Sequence, residues 1–456
     1  MTAPDTIVAI ASPAGRGAVG IVRVSGAEVP RIAALILGWL PEPRHSALCR
    51  FLDADGSSLD EGLALYFPAP ASYTGEHVLE LQGHGGAVVL DALLQRLLDL
   101  GCRMARPGEF SERAFLNGKM DVAQAEAVAD LIDASSAAAA KAAVRSMQGE
   151  FSARVRQLQS QLTGLRIHVE AAIDFPDEEL DLLGDAALNG RLAEVFAAFD
   201  SITAAARQGT LLREGLNVVI AGRPNAGKSS LLNRLAGNEV AIVTNLPGTT
   251  RDLLRQQVQL GGLSVNLVDT AGLRAAADVV EAEGIRRAKD EMQRADRVIY
   301  VVDASLAEQN TPALLTAELA QLPQGIPVTL AFNKIDLTNI AAHAEAAVPQ
   351  PAAPAQIFLS AATGAGLDLL REHLKSSAGF QVLESGALSA RRRHLDALSK
   401  AHAHVQSAAA ALREDKAIEL FADDLRLAQR SLGEITGEFS SDDLLGEIFG
   451  SFCIGK

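Results

Sequence analysis

Residues 222–229 read Gly-Arg-Pro-Asn-Ala-Gly-Lys-Ser, set between an apolar strand-like run, Asn217–Ala221, and a helical run, Ser229–Ala236. Strand, glycine loop and helix in that succession constrain the fold more than any other stretch of the chain. Around them, Leu216–Lys375 alternates short Val/Ile-rich strands with helices, the pattern of a doubly wound parallel sheet. Gly222 and Gly227 let backbone N–H groups converge on phosphate oxygens, and Lys228 brings a cation to the β- and γ-phosphates. Ser229 offers a hydroxyl to Mg²⁺, and the helix N-terminus adds its dipole. Asn225, Ala226 and Ser230 belong to the same predicted phosphate-binding loop.

Further motifs follow in order. Asp269 closes the predicted strand Val265–Val268 and heads Asp269-Thr270-Ala271-Gly272. Its carboxylate is placed to hold a Mg²⁺-bound water, and the Gly272 N–H to meet a γ-phosphate. Asn333-Lys334-Ile335-Asp336 ends the predicted strand Val328–Phe332, and Ser360-Ala361 comes later. The Asp336 carboxylate can accept hydrogen bonds from guanine N1–H and the 2-amino group. Adenine has neither donor there, so GTP is the expected ligand. The loop Val243-Thr244-Asn245-Leu246-Pro247-Gly248-Thr249-Thr250-Arg251-Asp252 lies where a first switch belongs. Thr249 and Thr250 are expected to follow the γ-phosphate, with Thr250 the Mg²⁺ ligand. After Gly272 comes Leu273, where a Ras-like enzyme has a water-orienting Gln. Leucine cannot hydrogen-bond a water, so the catalytic group comes from elsewhere or hydrolysis is very slow. Glu281 offers a carboxylate, although by itself it reads as a solvated surface acid.

The cassette is interior to a chain of 456 residues, a length that fits about three domains. Ahead of it, Thr6–Ala11, Gly20–Val24 and Val78–Leu81 read as strands and Val88–Leu100 as a helix, a mixed α/β beginning. From Lys119 to Arg213 alanine dominates, and Leu158, Leu162, Leu165, Val169 and Ile173 recur at helical steps. Leu420, Leu425, Ala428, Leu432 and Ile435 form a similar stripe beyond Ser385. The texture fits one helical domain carrying an insertion, or two unrelated helical domains, and leaves that choice open. No apolar run reaches the ~18 residues of a membrane span, and Ile32–Leu40 is too short, so a soluble cytoplasmic protein is expected. Cys49, Cys102 and Cys453 lie far apart, giving neither a zinc site nor a disulfide framework. A formal charge of −15 argues against a general nucleic-acid coat and leaves a local basic patch as the route to RNA.

These residues, with the terminal Phe452-Cys453-Ile454-Gly455-Lys456, resemble the bacterial MnmE (TrmE) family of tRNA-modification GTPases. So do Asp5-Thr-Ile-Val-Ala, Gly15-Arg-Gly, Gly20-Ile-Val-Arg23, Glu80-Leu-Gln-Gly-His84-Gly-Gly and Leu432-Gly-Glu-Ile-Thr-Gly437. The resemblance covers essentially the whole chain. It implies an α/β multidomain protein: residues 1–118 an α+β tetrahydrofolate-binding and dimerisation domain, 119–213 and 379–456 two parts of a helical domain, and 214–378 an inserted P-loop GTPase domain. It implies a homodimer that joins the flavoprotein MnmG (GidA) in a heterotetramer, the FAD belonging to that partner. Together they would add an aminomethyl or carboxymethylaminomethyl group to C5 of the wobble uridine (position 34) of certain tRNAs. The one-carbon unit would come from 5,10-methylene- or 5-formyl-tetrahydrofolate. The resemblance also implies K⁺ in place of an arginine finger when two GTPase domains meet, with Asn225, Thr244, Leu246 and Thr249 around it. It makes Glu281 the water-orienting acid. Folate-binding roles map onto Arg23, Glu80, Lys119 and Lys456, and Cys453 falls near the modification centre.

Three motifs point elsewhere and are set aside. Gly15-Arg-Gly17-Ala-Val-Gly20 fits a dinucleotide fingerprint, but a strand rather than a helix is expected after it. Cys453 stands fourth from the end like a prenylation box, yet a terminal Lys matches poorly. For its thiol, a catalytic role and a buried structural role both remain open. Arg391-Arg392-Arg393 reads as a solvated helix-end cluster sooner than a tRNA contact.

Overall fold

The computed structural model describes residues 5–174, 186–237, 255–269, 293, 295–306, 311–323, 325–345, 354–380, 386–414, 418–438, 442–453 and 455. They form two compact units. One comprises Met1–Ala129, Ser146–Phe199 and Asp396–Lys456, the other Asp130–Arg145 and Asp200–Leu395.

The first unit is built on a sheet of β1 (Ile7–Ile10), β2 (Gly17–Ser25), β3 (Ala47–Leu52), β4 (Ser58–Phe67), β5 (Val78–Gly85) and β6 (Arg103–Met104), in the order β3-β4-β5-β2-β1-β6. Alternate residues Val22 and Val24 of β2 and Leu79 and Leu81 of β5 turn to one face, as a two-residue period requires. There they meet α1 (Val29–Leu37) and α2 (Ala87–Asp99) through Ile32, Ile36, Leu93 and Leu97. The apolar stretch after Ser25 is thus an ordinary core helix, closed by Gly38 in the left-handed conformation at φ 83°. Gly20 lies inside β2, so a strand does follow the dinucleotide-like glycines.

In the same unit, α3 (Glu150–Asp174) packs on the helix Ile418–Thr436. Leu158, Leu162, Leu165 and Val169 are buried, as their spacing predicts. Leu420 departs from its stripe: it is exposed, and Phe421 is buried in its place. Five residues before Leu425 is about 140° off the seam, whereas four residues returns to it.

The second unit carries a seven-stranded sheet in the order β12-β13-β11-β10-β7-β9-β8. Its strands are β7 (Leu216–Gly222), β8 (Arg255–Leu260), β9 (Leu263–Asp269), β10 (Arg297–Asp303), β11 (Val328–Asn333), β12 (His343–Glu345) and β13 (Ala355–Phe358). The neighbours β9, β7, β10, β11 and β13 run parallel, with antiparallel β8 and β12 at the edges. Val218, Ile220, Val301 and Ala331 are buried on one face and Ala221, Tyr300, Val302 and Leu330 on the other, which explains the near-continuous apolar runs. One face is covered by α4 (Lys228–Ala236) and the helix Leu367–Ser377, the other by the helix Pro312–Leu319.

Candidate nucleotide site and the sheet face around Arg23

The carboxyl ends of β7, β10 and β11 lie side by side, where open parallel sheets bind ligands. Gly222 ends β7 at φ 138°, with Val301 of β10 so close that a Cβ would strike its carbonyl. Asn225 and Gly227 are also left-handed, at φ 62° and 96°. The loop therefore turns its backbone inward before α4 begins at Lys228. Lys228 Nζ donates to the carbonyls of Gly222 at 3.0 Å and Arg223 at 2.8 Å, which holds the ammonium inside the loop. Asn225, Ser229 and Ser230 are exposed around it, while Ala226 is buried.

Asn333 ties the loop to the base-recognition segments. Its amide donates to the Ala226 carbonyl at 3.0 Å, and its Oδ1 accepts the Ala361 N–H at 2.9 Å. A Cβ at Gly227 would collide with that amide, so glycine is required there for two reasons. The next residue, Lys334, is left-handed at φ 67°, and its Nζ meets Asp303 at 2.6 Å. Burial opposes ionisation of Asp303, but Lys334 and Ser305 outweigh it and keep the carboxyl below its ordinary value. Asp336 is exposed, and its Oδ1 accepts the hydroxyl of buried Ser360. A carboxylate braced in this way can present itself to the two adjacent donors of guanine.

On the first unit's sheet, Arg23 of β2 and Glu80 of β5 are register partners, joined Nε to Oε1 at 2.8 Å. The Arg23 guanidinium lies 5.5 Å from the Tyr73 ring centroid and 5.7 Å from that of Phe110. Exposed Lys119 reaches the loop that carries Tyr73, donating to the Pro70 carbonyl at 3.0 Å. The chain's end arrives at the same sheet. The Cys453 carbonyl accepts the Gly108 N–H at 3.3 Å, and Gly455 lies against the Ile10 carbonyl of β1.

Residues 6–119 match the family description "GTP-binding protein TrmE N-terminus", and residues 122–453 match "MnmE helical domain". The chain is 57% identical, over all of both chains, to the tRNA modification GTPase MnmE of Yersinia pseudotuberculosis serotype O:1b (strain IP 31758). It has the same identity and coverage with that of Yersinia pestis bv. Antiqua (strain Angola). The chain belongs to the MnmE family of tRNA modification GTPases. Among solved structures, the G domain of the T. maritima FeoB iron transporter aligns with 36% of this chain and 98% of its own, at 30% identity and a TM-score of 0.25.

This MnmE-family chain is a GTP-hydrolysing enzyme, and its P-loop, Asn333–Asp336 and Ser360–Ala361 form one connected arrangement. The first-switch residues Thr244, Asn245, Leu246, Pro247, Gly248, Thr249 and Thr250 lie outside the described residues. So do Thr270, Ala271, Gly272, Leu273, Glu281 and Lys456, while Asp269 closes β9. Two sequence expectations change. Cys453 is exposed, which removes the buried structural reading of its thiol. Arg391 is not part of a solvated cluster: with Arg213 it pairs with buried Asp130, at 3.1 Å and 2.8 Å. Motif reading missed Tyr73, Phe110 and Asp303, whose partners are far away in sequence. For Asp303 alone there was a signal, a carboxylate closing an apolar strand run.

Proposed function

We propose that this chain couples GTP hydrolysis to modification of the wobble uridine (position 34) of certain tRNAs in the cytoplasm. Working as a homodimer with the flavoprotein MnmG, it would add an aminomethyl or carboxymethylaminomethyl group at C5, from a tetrahydrofolate one-carbon unit. The observation that carries this reading is the full-length likeness to tRNA modification GTPases, which takes in the sheet of Arg23 and Glu80 as well as the nucleotide site.

The residues fit that task. Lys228, already inside the loop, would exchange its two carbonyl partners for β- and γ-phosphate oxygens. Ser229 and Thr250 would hold Mg²⁺. Exposed Asn225, in its left-handed turn, has a carbonyl oxygen suited to K⁺, with Thr244, Leu246 and Thr249 completing the set. These cations supply positive charge to the oxygens that gain negative charge in the transition state. Because Leu273 cannot orient a water, Glu281 would do so. On the other unit, Glu80 is suited to the amino-pyrimidine edge of a pterin, with half-buried Tyr73 giving flat apolar surface. Arg23, paired with Glu80, would orient that carboxylate, and Lys119 and Lys456 are suited to the anionic tail.

Initial rates of GTP hydrolysis in matched K⁺ and Na⁺ buffers test the catalytic part. A steep rise in K⁺, lost in Asn225→Ala, is expected; equal rates in the two salts would contradict it.

A further inference from the structure

Arg223, second in the glycine loop, has a side-chain anchor that lies outside every nucleotide motif. Its Nε meets Glu318 Oε1 at 2.6 Å, and Glu318 Oε2 accepts the Tyr300 hydroxyl at 2.8 Å. Glu318 stands on the helix Pro312–Leu319 and Tyr300 in the middle of β10, opposite Ala221 at the end of β7. One carboxylate thus fastens the loop arginine to a tyrosine whose backbone is fixed in the sheet. The pair's side chains are about a quarter to a third exposed, 31% for Arg223 and 25% for Glu318, so the bridge is only partly screened by solvent. The space beside it, bordered by Pro224, Ala226 and Leu315, is small, about 40 Å³. The assembly is therefore a brace and not a pocket.

What the brace holds is the phosphate-binding lysine. The Arg223 carbonyl is one of the acceptors of Lys228 Nζ, and Pro224 and left-handed Asn225 follow it directly. Fixing the Arg223 side chain limits where its carbonyl and the Asn225 turn can go. A loop that keeps its shape as Lys228 passes from carbonyls to phosphates loses less entropy on binding than one that must reorder.

We propose that Glu318 and Tyr300 are positioning residues for guanine-nucleotide binding, holding the phosphate loop open through Arg223. The test is a double-mutant cycle on the full chain, reading GDP and GTP affinity with a fluorescent nucleotide alongside thermal melting. Glu318→Leu is expected to weaken both nucleotides by about tenfold, the effect of losing one partly screened charge-assisted contact. Tyr300→Phe, which removes a single hydroxyl, should weaken them about threefold, and it carries the test if Glu318→Leu fails to fold. Arg223→Ala and Glu318→Ala should each show the loss, and the double variant no more than either. Glu318→Gln, still able to accept from Arg223, should recover most of the affinity. A purely structural bridge would lower the melting temperature and leave affinity alone. Affinities within twofold of wild type in Glu318→Leu and Tyr300→Phe would overturn the proposal, as would losses that add in the double variant.

Discussion

Glu109 collects three donors on one buried carboxylate: the guanidinium groups of Arg103 and Arg113, at 2.6 Å and 3.0 Å, and the Arg106 N–H at 2.8 Å. Burial pushes its ionisation up, but the arginines and the amide overrule it and hold the carboxyl down to about 2, against an ordinary 4.5. A carboxyl with a depressed folded-state value contributes stability in full above the unfolded value and loses it as pH falls through the folded one. Melting temperatures should therefore drop between about pH 4.5 and 2, and the drop should be smaller in Glu109→Gln. At neutral pH that variant should lose about 2–3 kcal/mol, because Arg103 and Arg113 keep their charge beside a neutral partner. An unchanged acid profile in Glu109→Gln would count against this reading. At this scale Lys228 and Asp336 were legible because each belongs to a contiguous motif that binds one ligand. Glu109 was not, although Arg103, Arg106 and Arg113 lie within six residues of it, because nothing in their spacing says that they converge on one buried carboxylate; the main partner of Asp303, Lys334, is brought to it by folding.

Elements were legible wherever a period ran unbroken. The strands β1, β2, β5, β7, β9 and β11 and the helix α2 lie where alternation or helical spacing put them. The miss at Leu420 came from counting an apolar residue as part of a stripe when its step was five. Close approaches between backbones are equally silent in sequence. Gly209 sits within the helix Ala186–Glu214, directly against the Leu388 carbonyl. Alanine in mid-helix ordinarily stabilises by about 1 kcal/mol over glycine. Here a Cβ would strike Leu388, and Gly209→Ala should destabilise by about 2 kcal/mol net. Calorimetry of the variant decides the sign: a raised melting temperature would mean that the Leu388 segment yields freely.

On the scale of the whole molecule, the order of motifs along the chain said more than any single one. A nucleotide cassette preceded by a sheet with its own core and flanked by long helices is what the two units display. The chain passes between those units inside helices, near residues 129, 145, 199 and 395. Helical periodicity runs on through such points, so texture alone left insertion and separate domains undecided. Among the described residues no helix is long and apolar enough to cross a membrane. That the GTPase serves tRNA modification is open to nucleoside mass spectrometry of tRNA from cells lacking this chain. The C5 substituent should disappear from the wobble uridine and return with the wild-type chain but not with Lys228→Ala. Normal wobble-uridine modification in the absence of the chain would rule that role out.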